Sequence, residues 1–165
     1  MTPDPLRIRY QPHYSIAMNR RQLLALIPAL LISRTARAQS AKIHIYKDAS
    51  CGCCSVWVTH LEKAGFTASV TNADNMAAIK DTYGVPAALR SCHTGVVNGY
   101  VIEGHVPAAD IQRVLKERPA VAGLAVPGMP VGSPGMEVPG MRPQAFDVMA
   151  FEKGGASRVF ASHNK

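Results

Sequence analysis

Apolar and polar positions alternate between residues 42 and 47, and this pattern predicts a strand with one buried face. A polar break at residues 48–50 follows and supplies candidate capping residues. From Cys54 to Ala64 the apolar residues recur at helical spacing, and Gly65 then ends the pattern. The segment therefore predicts a strand followed by a helix that begins near Cys51.

Similar patterns predict the elements that follow. In chain order they are a strand over 66–71, a short helix ending at Gly84, a hairpin over 93–104 turned by Asn98-Gly99, a helix opened by Pro107, and a terminal hairpin around Gly154-Gly155. Residues 127–143 repeat Pro-Gly-Met and predict an irregular loop. This order predicts a thioredoxin-like α/β fold, in which helices flank a central mixed sheet.

Residues 1–38 have the pattern of an export signal. Arg20-Arg21 gives a positive start, residues 23–32 form an apolar run, and Ala36-Arg37-Ala38 suits cleavage. The run is shorter than the roughly twenty apolar residues that span a bilayer, so no stable span is expected after cleavage. The paired arginines resemble a twin-arginine signal, and a general secretory signal fits equally. Met18 is an alternative start.

The signal predicts a periplasmic protein whose single domain covers residues 39–165. The whole chain carries a formal charge of +7, yet most of the excess lies in residues 1–38, where six arginines face one acid. Twelve basic and ten acidic residues remain in 39–165. Because this balance leaves no strongly basic surface to contact phosphates, the sequence argues against a nucleic-acid partner.

The candidate chemistry lies in Cys51-Gly52-Cys53-Cys54. Cys51 and Cys54 form a C-x-x-C pair at a strand-to-helix junction, where redox pairs are found and a helix N-terminus stabilises thiolate. Cys53 is surplus to such a pair. Three thiolates within one turn can converge on a soft metal ion, and copper(I), as one ion or several, suits them better than zinc, which favours four settled ligands.

Further candidate ligands lie outside this motif. Cys92 can supply a fourth thiolate and His93 an imidazole. The alternative is that Cys92 is a buried free thiol and His93 a surface residue, neither of them a ligand. His105 is a candidate ligand, a donor to a ligand, or a capping or surface residue. Met129 and Met136 offer thioethers to copper, although methionine also fills gaps in irregular loops.

These stretches resemble the CopG-type family, also known as domain of unknown function four hundred eleven. The resemblance covers about residues 42–140 and is carried by Cys51-Gly52-Cys53-Cys54 with Trp57, Ser91-Cys92-His93-Thr94, and the stretches 99–107, 123–130 and 133–137. It implies a thioredoxin-like fold, a location in the cell envelope and a part in copper handling or resistance.

Three hypotheses follow. The first is a periplasmic copper(I)-binding protein with Cys51, Cys53, Cys54 and Cys92 as ligands, exchanging copper with a transfer protein. The second is a thiol or copper oxidoreductase in which Cys51 attacks and Cys54 resolves, served by a thiol reductant. The third is a structural domain with two disulfides, which predicts neither free thiols nor bound metal.

Overall fold

The computed structural model of the protein describes residues 40–164. The predicted signal, Met18 and the cleavage site lie outside these residues. The helices are α1 (Gly52–Lys63), α2 (Met76–Thr82) and α3 (Ala108–Glu117), and a 3-10 turn covers Ala87–Leu89. The strands are β1 (Lys42–Lys47), β2 (Thr67–Asn72), β3 (His93–Val97), β4 (Tyr100–Glu103), β5 (Gly123–Ala125), β6 (Phe146–Phe151) and β7 (Ser157–His163).

The strands form one seven-stranded sheet in the order β2-β1-β3-β4-β5-β6-β7. The pairs β1–β2 and β4–β5 are parallel, and the other four are antiparallel. Each parallel pair is joined through a helix, as a parallel connection requires. The predicted mixed α/β sheet with flanking helices is therefore confirmed, whereas the thioredoxin-like assignment stays a prediction from the sequence.

The two faces of the sheet bury different sets of side chains. Alternate strand residues point to one face, where Ile43 and Ile45 pack with Trp57 and Leu61 of α1 and with α3. Trp57 is fully buried, and its indole N–H donates to the Val106 carbonyl at 2.9 Å. A smaller cluster that includes Val85 and Phe151 covers part of the opposite face.

Most predicted elements are confirmed, including both hairpins and the irregular loop over residues 127–143. The sequence missed β5, because a three-residue strand is too short to show a period. It also missed the inner face of α2. Apolar spacing favours Met76 and Ile79, yet these are half-buried, and Lys80 is the residue that the helix buries.

The irregular loop crosses the first turns of α1. At Gly135, where φ is +86°, an added Cβ would lie 2.9 Å from the backbone nitrogen of Trp57 and 3.1 Å from the carbonyl oxygen of Cys53. Only glycine allows so close an approach in this conformation. Within residues 40–164, no helix has the length and apolar character needed to cross a bilayer.

Candidate metal centre

The turn between β1 and α1 presents the first three cysteines. The Asp48 carboxylate accepts the Ser50 backbone N–H at 2.8 Å and the Ser50 hydroxyl at 2.5 Å, and these bonds lower the pKa of Asp48. Lys47 Nζ donates to the Asp48 carbonyl at 2.8 Å. The expected capping by residues 48–50 is wrong, because Cys51 precedes the helix and no side chain caps it. The polar residues form hydrogen bonds within the turn instead.

Four cysteine sulfurs converge where this turn meets the start of β3. The sulfurs of Cys51, Cys53, Cys54 and Cys92 all lie within 4.8 Å of one another. Cys51 and Cys54 are joined in a disulfide, whereas Cys53 and Cys92 are free. The Cys53 sulfur lies 3.5 Å from that of Cys51. The two free thiols contradict the two-disulfide form of the structural hypothesis.

Cys92 also belongs to a second group, formed with His93 and His105. Its sulfur lies 3.2 Å from His93 Nδ1 and 3.2 Å from His105 Nε2. Both imidazoles are buried, and their ring centroids are 5.0 Å apart in an edge-on arrangement. Trp57 lies against His93 with a centroid distance of 4.2 Å. The structure thus brings both histidines together with the cysteines, and neither lies on the surface.

The hydrogen bond of His105 fixes which nitrogen can accept a metal or a proton. Its Nδ1 lies 2.8 Å from the Pro134 carbonyl oxygen, which can only accept, so Nδ1 carries the proton. The lone pair of Nε2 then faces the Cys92 sulfur. His93 differs, because its Nε2 is buried and has no hydrogen-bond partner.

Burial keeps these groups neutral when no metal is bound. Burial lowers the pKa of His93 well below its usual value, and charge on His105 and Lys80 lowers it further. Burial also lowers the pKa of His105, against the opposing effects of Pro134 and Glu137. The pKa of Cys92 is raised to about 11, first by burial and then by the neighbouring Cys53. A metal bound here must therefore displace the thiol proton of Cys92.

The Pro-Gly-Met loop forms one wall of the centre. The Ser91 hydroxyl donates to the Gly128 carbonyl, and Pro134 holds His105 as described. The two methionines proposed as ligands lie on this loop. Met129 is 51% exposed and Met136 is half-buried, so both thioethers lie on a segment whose backbone touches the site. Their role as ligands stays a prediction.

A buried hydrogen-bond network, which the sequence did not predict, fixes the chain next to Cys92. Glu103 is fully buried, and its Oε1 accepts Lys80 Nζ and the Ser91 backbone N–H, each at 2.6 Å. Its Oε2 accepts the Thr94 hydroxyl at 2.7 Å. The network fixes the backbone directly before Cys92. The available signal was a carboxylate that ends the apolar run of β4, where an unpaired charge would be costly.

Comparisons with known proteins relate this chain to copper resistance proteins. A family model described as protein of unknown function DUF411 matches residues 89–136. A solved structure of copper resistance protein CopG, form 2, is 48% identical, with a TM-score of 0.71 over 75% of this chain and 98% of that chain. Form 1 is 47% identical, with a TM-score of 0.71 over 76% and 99%. No curated protein matches the chain.

Proposed function

Because the chain belongs to the CopG family of copper resistance proteins, we propose that it is an exported copper(I)-binding protein that buffers copper or passes it on in the periplasm. The observation that carries this proposal is the convergence of four cysteine sulfurs within 4.8 Å. Export rests on the signal pattern of residues 1–38, and the domain that would act in the periplasm begins at Gln39.

Copper(I) is the ion that this donor set favours. Cys51, Cys53, Cys54 and Cys92 offer soft sulfur ligands, which favour copper(I) over harder ions. Neighbouring thiolates can also bridge ions, so the proposal allows more than one copper per chain. Since Cys51 and Cys54 are joined in a disulfide here, a thiol reductant must supply two electrons before all four sulfurs can bind.

The remaining candidate ligands suit a site that passes copper to another protein. His93 and His105 offer neutral nitrogen, and Met129 and Met136 offer thioethers on the loop beside the cysteines. Weak ligands of this kind can take over an ion one bond at a time. We therefore propose that copper leaves to a transfer protein along the loop side of the site.

The disulfide favours a second candidate, a copper or thiol oxidoreductase. Cys51 is partly exposed and can attack or be attacked, whereas Cys54 is fully buried and suits a resolving role. In the copper reaction, the Cys51 and Cys54 thiols would give two electrons to two copper(II) ions. The products would be two copper(I) ions, the Cys51–Cys54 disulfide and two protons.

Cys53 separates the two candidates. Protein starting at Gln39 is reduced and then titrated anaerobically with copper(I) against a competing chelator, while free thiols are counted. We expect binding to consume three or four thiols, and Cys53→Ser to weaken the affinity at least about tenfold. Ser55→Ala, on the exposed side of α1, is the matched control and should change nothing. Full affinity in Cys53→Ser, with dithiol reductase activity retained, would favour the oxidoreductase.

A further inference from the structure

We propose that Lys47 is a positioning and charge-balancing residue for the cysteine motif: it holds the turn before Cys51 and offsets the negative charge of the thiolates. Lys47 is not itself a ligand. The inference rests on the proposed copper function and deepens it, because it assigns to that site a residue outside the candidate ligands. Three features of Lys47 support it: its burial without a counter-ion, its place at the end of β1, and the carbonyl that it shares with Cys51.

Lys47 is one of two buried lysines in the described part of the chain, and the two differ in their partners. Lys80 is 5% exposed, and its ammonium lies 2.6 Å from the Glu103 carboxylate. Lys47 is 6% exposed, and no carboxylate in that part of the chain lies within 4.0 Å of its ammonium. Hydrogen bonds from Ser50 are the main cause of the lowered pKa of Asp48, and the Lys47 charge is the smallest. A buried charge without a counter-ion is costly, so such a residue is expected to serve a function.

Lys47 faces the side of the sheet on which the cysteine motif lies. Alternate residues of β1 are buried, so Lys47 points to the same face as Ile43 and Ile45, which pack on α1. It is the last residue of β1, and its partner in β3 is His93, which follows Cys92. The Lys47 charge also lowers the pKa of His93, as the weakest of several causes led by burial. The ammonium therefore acts electrostatically on the centre.

Lys47 also holds the turn that presents Cys51. Its ammonium donates to the Asp48 carbonyl at 2.8 Å and to the Ala49 carbonyl at 3.4 Å. The Asp48 carbonyl accepts the Cys51 backbone N–H as well, at 3.1 Å. Since one carbonyl oxygen joins the ammonium to the Cys51 backbone, the positive charge is fixed beside the first residue of the motif.

A fixed positive charge favours this site because thiolate ligands carry more negative charge than copper(I) can neutralise. Each cysteine gives one negative charge when it binds as a thiolate, whereas copper(I) brings a single positive charge. A cation inside the protein offsets part of the remainder, and burial makes its effect larger than that of a surface lysine. The benefit should be largest for the first ion, since each further copper(I) reduces the negative charge.

The test compares Lys47→Met, which removes the charge but keeps the length of the side chain, with Lys47→Arg, which keeps the charge. Reduced protein starting at Gln39 is titrated anaerobically with copper(I), up to an equimolar amount, against a competing chelator. Denaturant unfolding of the metal-free protein is measured beside it. We expect Lys47→Met to lower the copper(I) affinity at least about tenfold. The metal-free protein should lose no stability, because the buried charge is gone and the Asp48 carbonyl still accepts the Cys51 N–H. Lys47→Arg should restore most of the affinity.

Lys63→Met is the matched control, because it removes the same charge from an exposed position at the far end of α1. It should leave the copper(I) affinity unchanged. The loss in Lys47→Met should also persist at high salt, which screens exposed charges much more than buried ones.

Unchanged affinity in Lys47→Met would overturn the inference. A loss of affinity that Lys47→Arg does not restore, or that parallels a loss of stability, would overturn it as well, because Lys47 would then be a structural residue only. If Lys47→Met does not fold, Lys47→Gln takes its place, since it keeps a donor to the turn without the charge. Wild-type protein that does not bind copper(I) would refute both this inference and the copper function, whereas equally tight binding by wild type and Lys47→Met would refute the role of Lys47 alone.

Discussion

The Cys92 sulfur lies 3.2 Å from Nε2 of His105, a residue thirteen positions further along the chain. The β3–β4 hairpin produces this contact, because its two strands run antiparallel and bring the residue before β3 close to the second residue after β4. The Pro-Gly-Met loop then holds the imidazole through Pro134. The centre therefore depends on the hairpin and the loop as much as on the cysteine motif.

The first prediction concerns the protonation of Cys92, whose pKa is raised to about 11. In oxidised Cys53→Ser protein, the rate of alkylation by iodoacetamide should rise with a midpoint well above the ordinary thiol value of about 8.5. Burial, the larger cause of the shift, remains in this variant. The same residue in denaturant is the control, and a midpoint near 8.5 in the folded protein would contradict the prediction.

The raised pKa of Cys92 also makes the stability of the Cys53→Ser protein depend on pH. Because the pKa is higher in the folded protein than in the unfolded chain, the protonated thiol favours folding. Its contribution is fully present below about pH 8.5 and is lost as the pH rises through about 11. Denaturant unfolding of this variant between pH 8 and 11 should show the decline, which Cys92→Ser should reduce.

The second prediction compares a buried and an exposed ion pair. Glu103→Gln leaves the Lys80 ammonium buried without its carboxylate, so we expect the free energy of unfolding to fall by about 3–5 kcal/mol. Asp81→Asn breaks the exposed pair with Arg90 and should cost less than about 1 kcal/mol. Chemical denaturation of both variants measures the difference, and equal losses would show that the buried network is unimportant.

The third prediction concerns the packing of the loop on α1. Gly135→Ala places a methyl group 2.9 Å from the backbone nitrogen of Trp57, so the loop must move away from the helix. This movement would pull the Pro134 carbonyl away from His105. We expect a loss of about 1–3 kcal/mol and weaker copper binding. Gly140→Ala has a similar φ of +80° but meets nothing within 4 Å, so it isolates the backbone cost. Matching losses in both variants would refute a role for the contact.

The fourth prediction uses the single tryptophan of the chain as a reporter. The ring centroids of Trp57 and His93 are 4.2 Å apart, so copper(II) bound beside His93 should quench the emission of Trp57 in proportion to occupancy. The loss of fluorescence and the amount of bound copper should then increase together during one titration. Emission that stays constant while copper(II) binds would place the ion elsewhere.

The sequence predicted the elements of the fold well because each carries a local signal. The strand before Cys51, the Asn98-Gly99 turn and Pro107 at a helix start all depend on near neighbours in the chain. The three-residue β5 has no such signal, since its place is set by pairing with β4 and β6. Sheet order likewise depends on contacts between distant residues.

The site was predictable in its cysteines and less so in its surroundings. Crowded thiols in the Cys51–Cys54 motif point to chemistry whatever the fold. A lone histidine gives no such signal, so the burial of His93 and His105 needed the structure. The Lys80–Glu103 ion pair could not be predicted from the sequence. A lysine in a short helix is expected on the surface, and only the packing of α2 against the sheet shows that Lys80 contacts Glu103 at the end of β4.

The groups that build the centre come from segments far apart in sequence: the turn before α1, the start of β3, the end of β4 and the Pro-Gly-Met loop. An ion bound to them acts as a cross-link, which reduces the freedom of the unfolded chain. Binding to the folded state alone stabilises it by about 2.7 kcal/mol when free copper is a hundred times the dissociation constant. Copper should therefore raise the melting temperature and slow proteolysis, so that the copper supply would set how long each molecule of the protein persists.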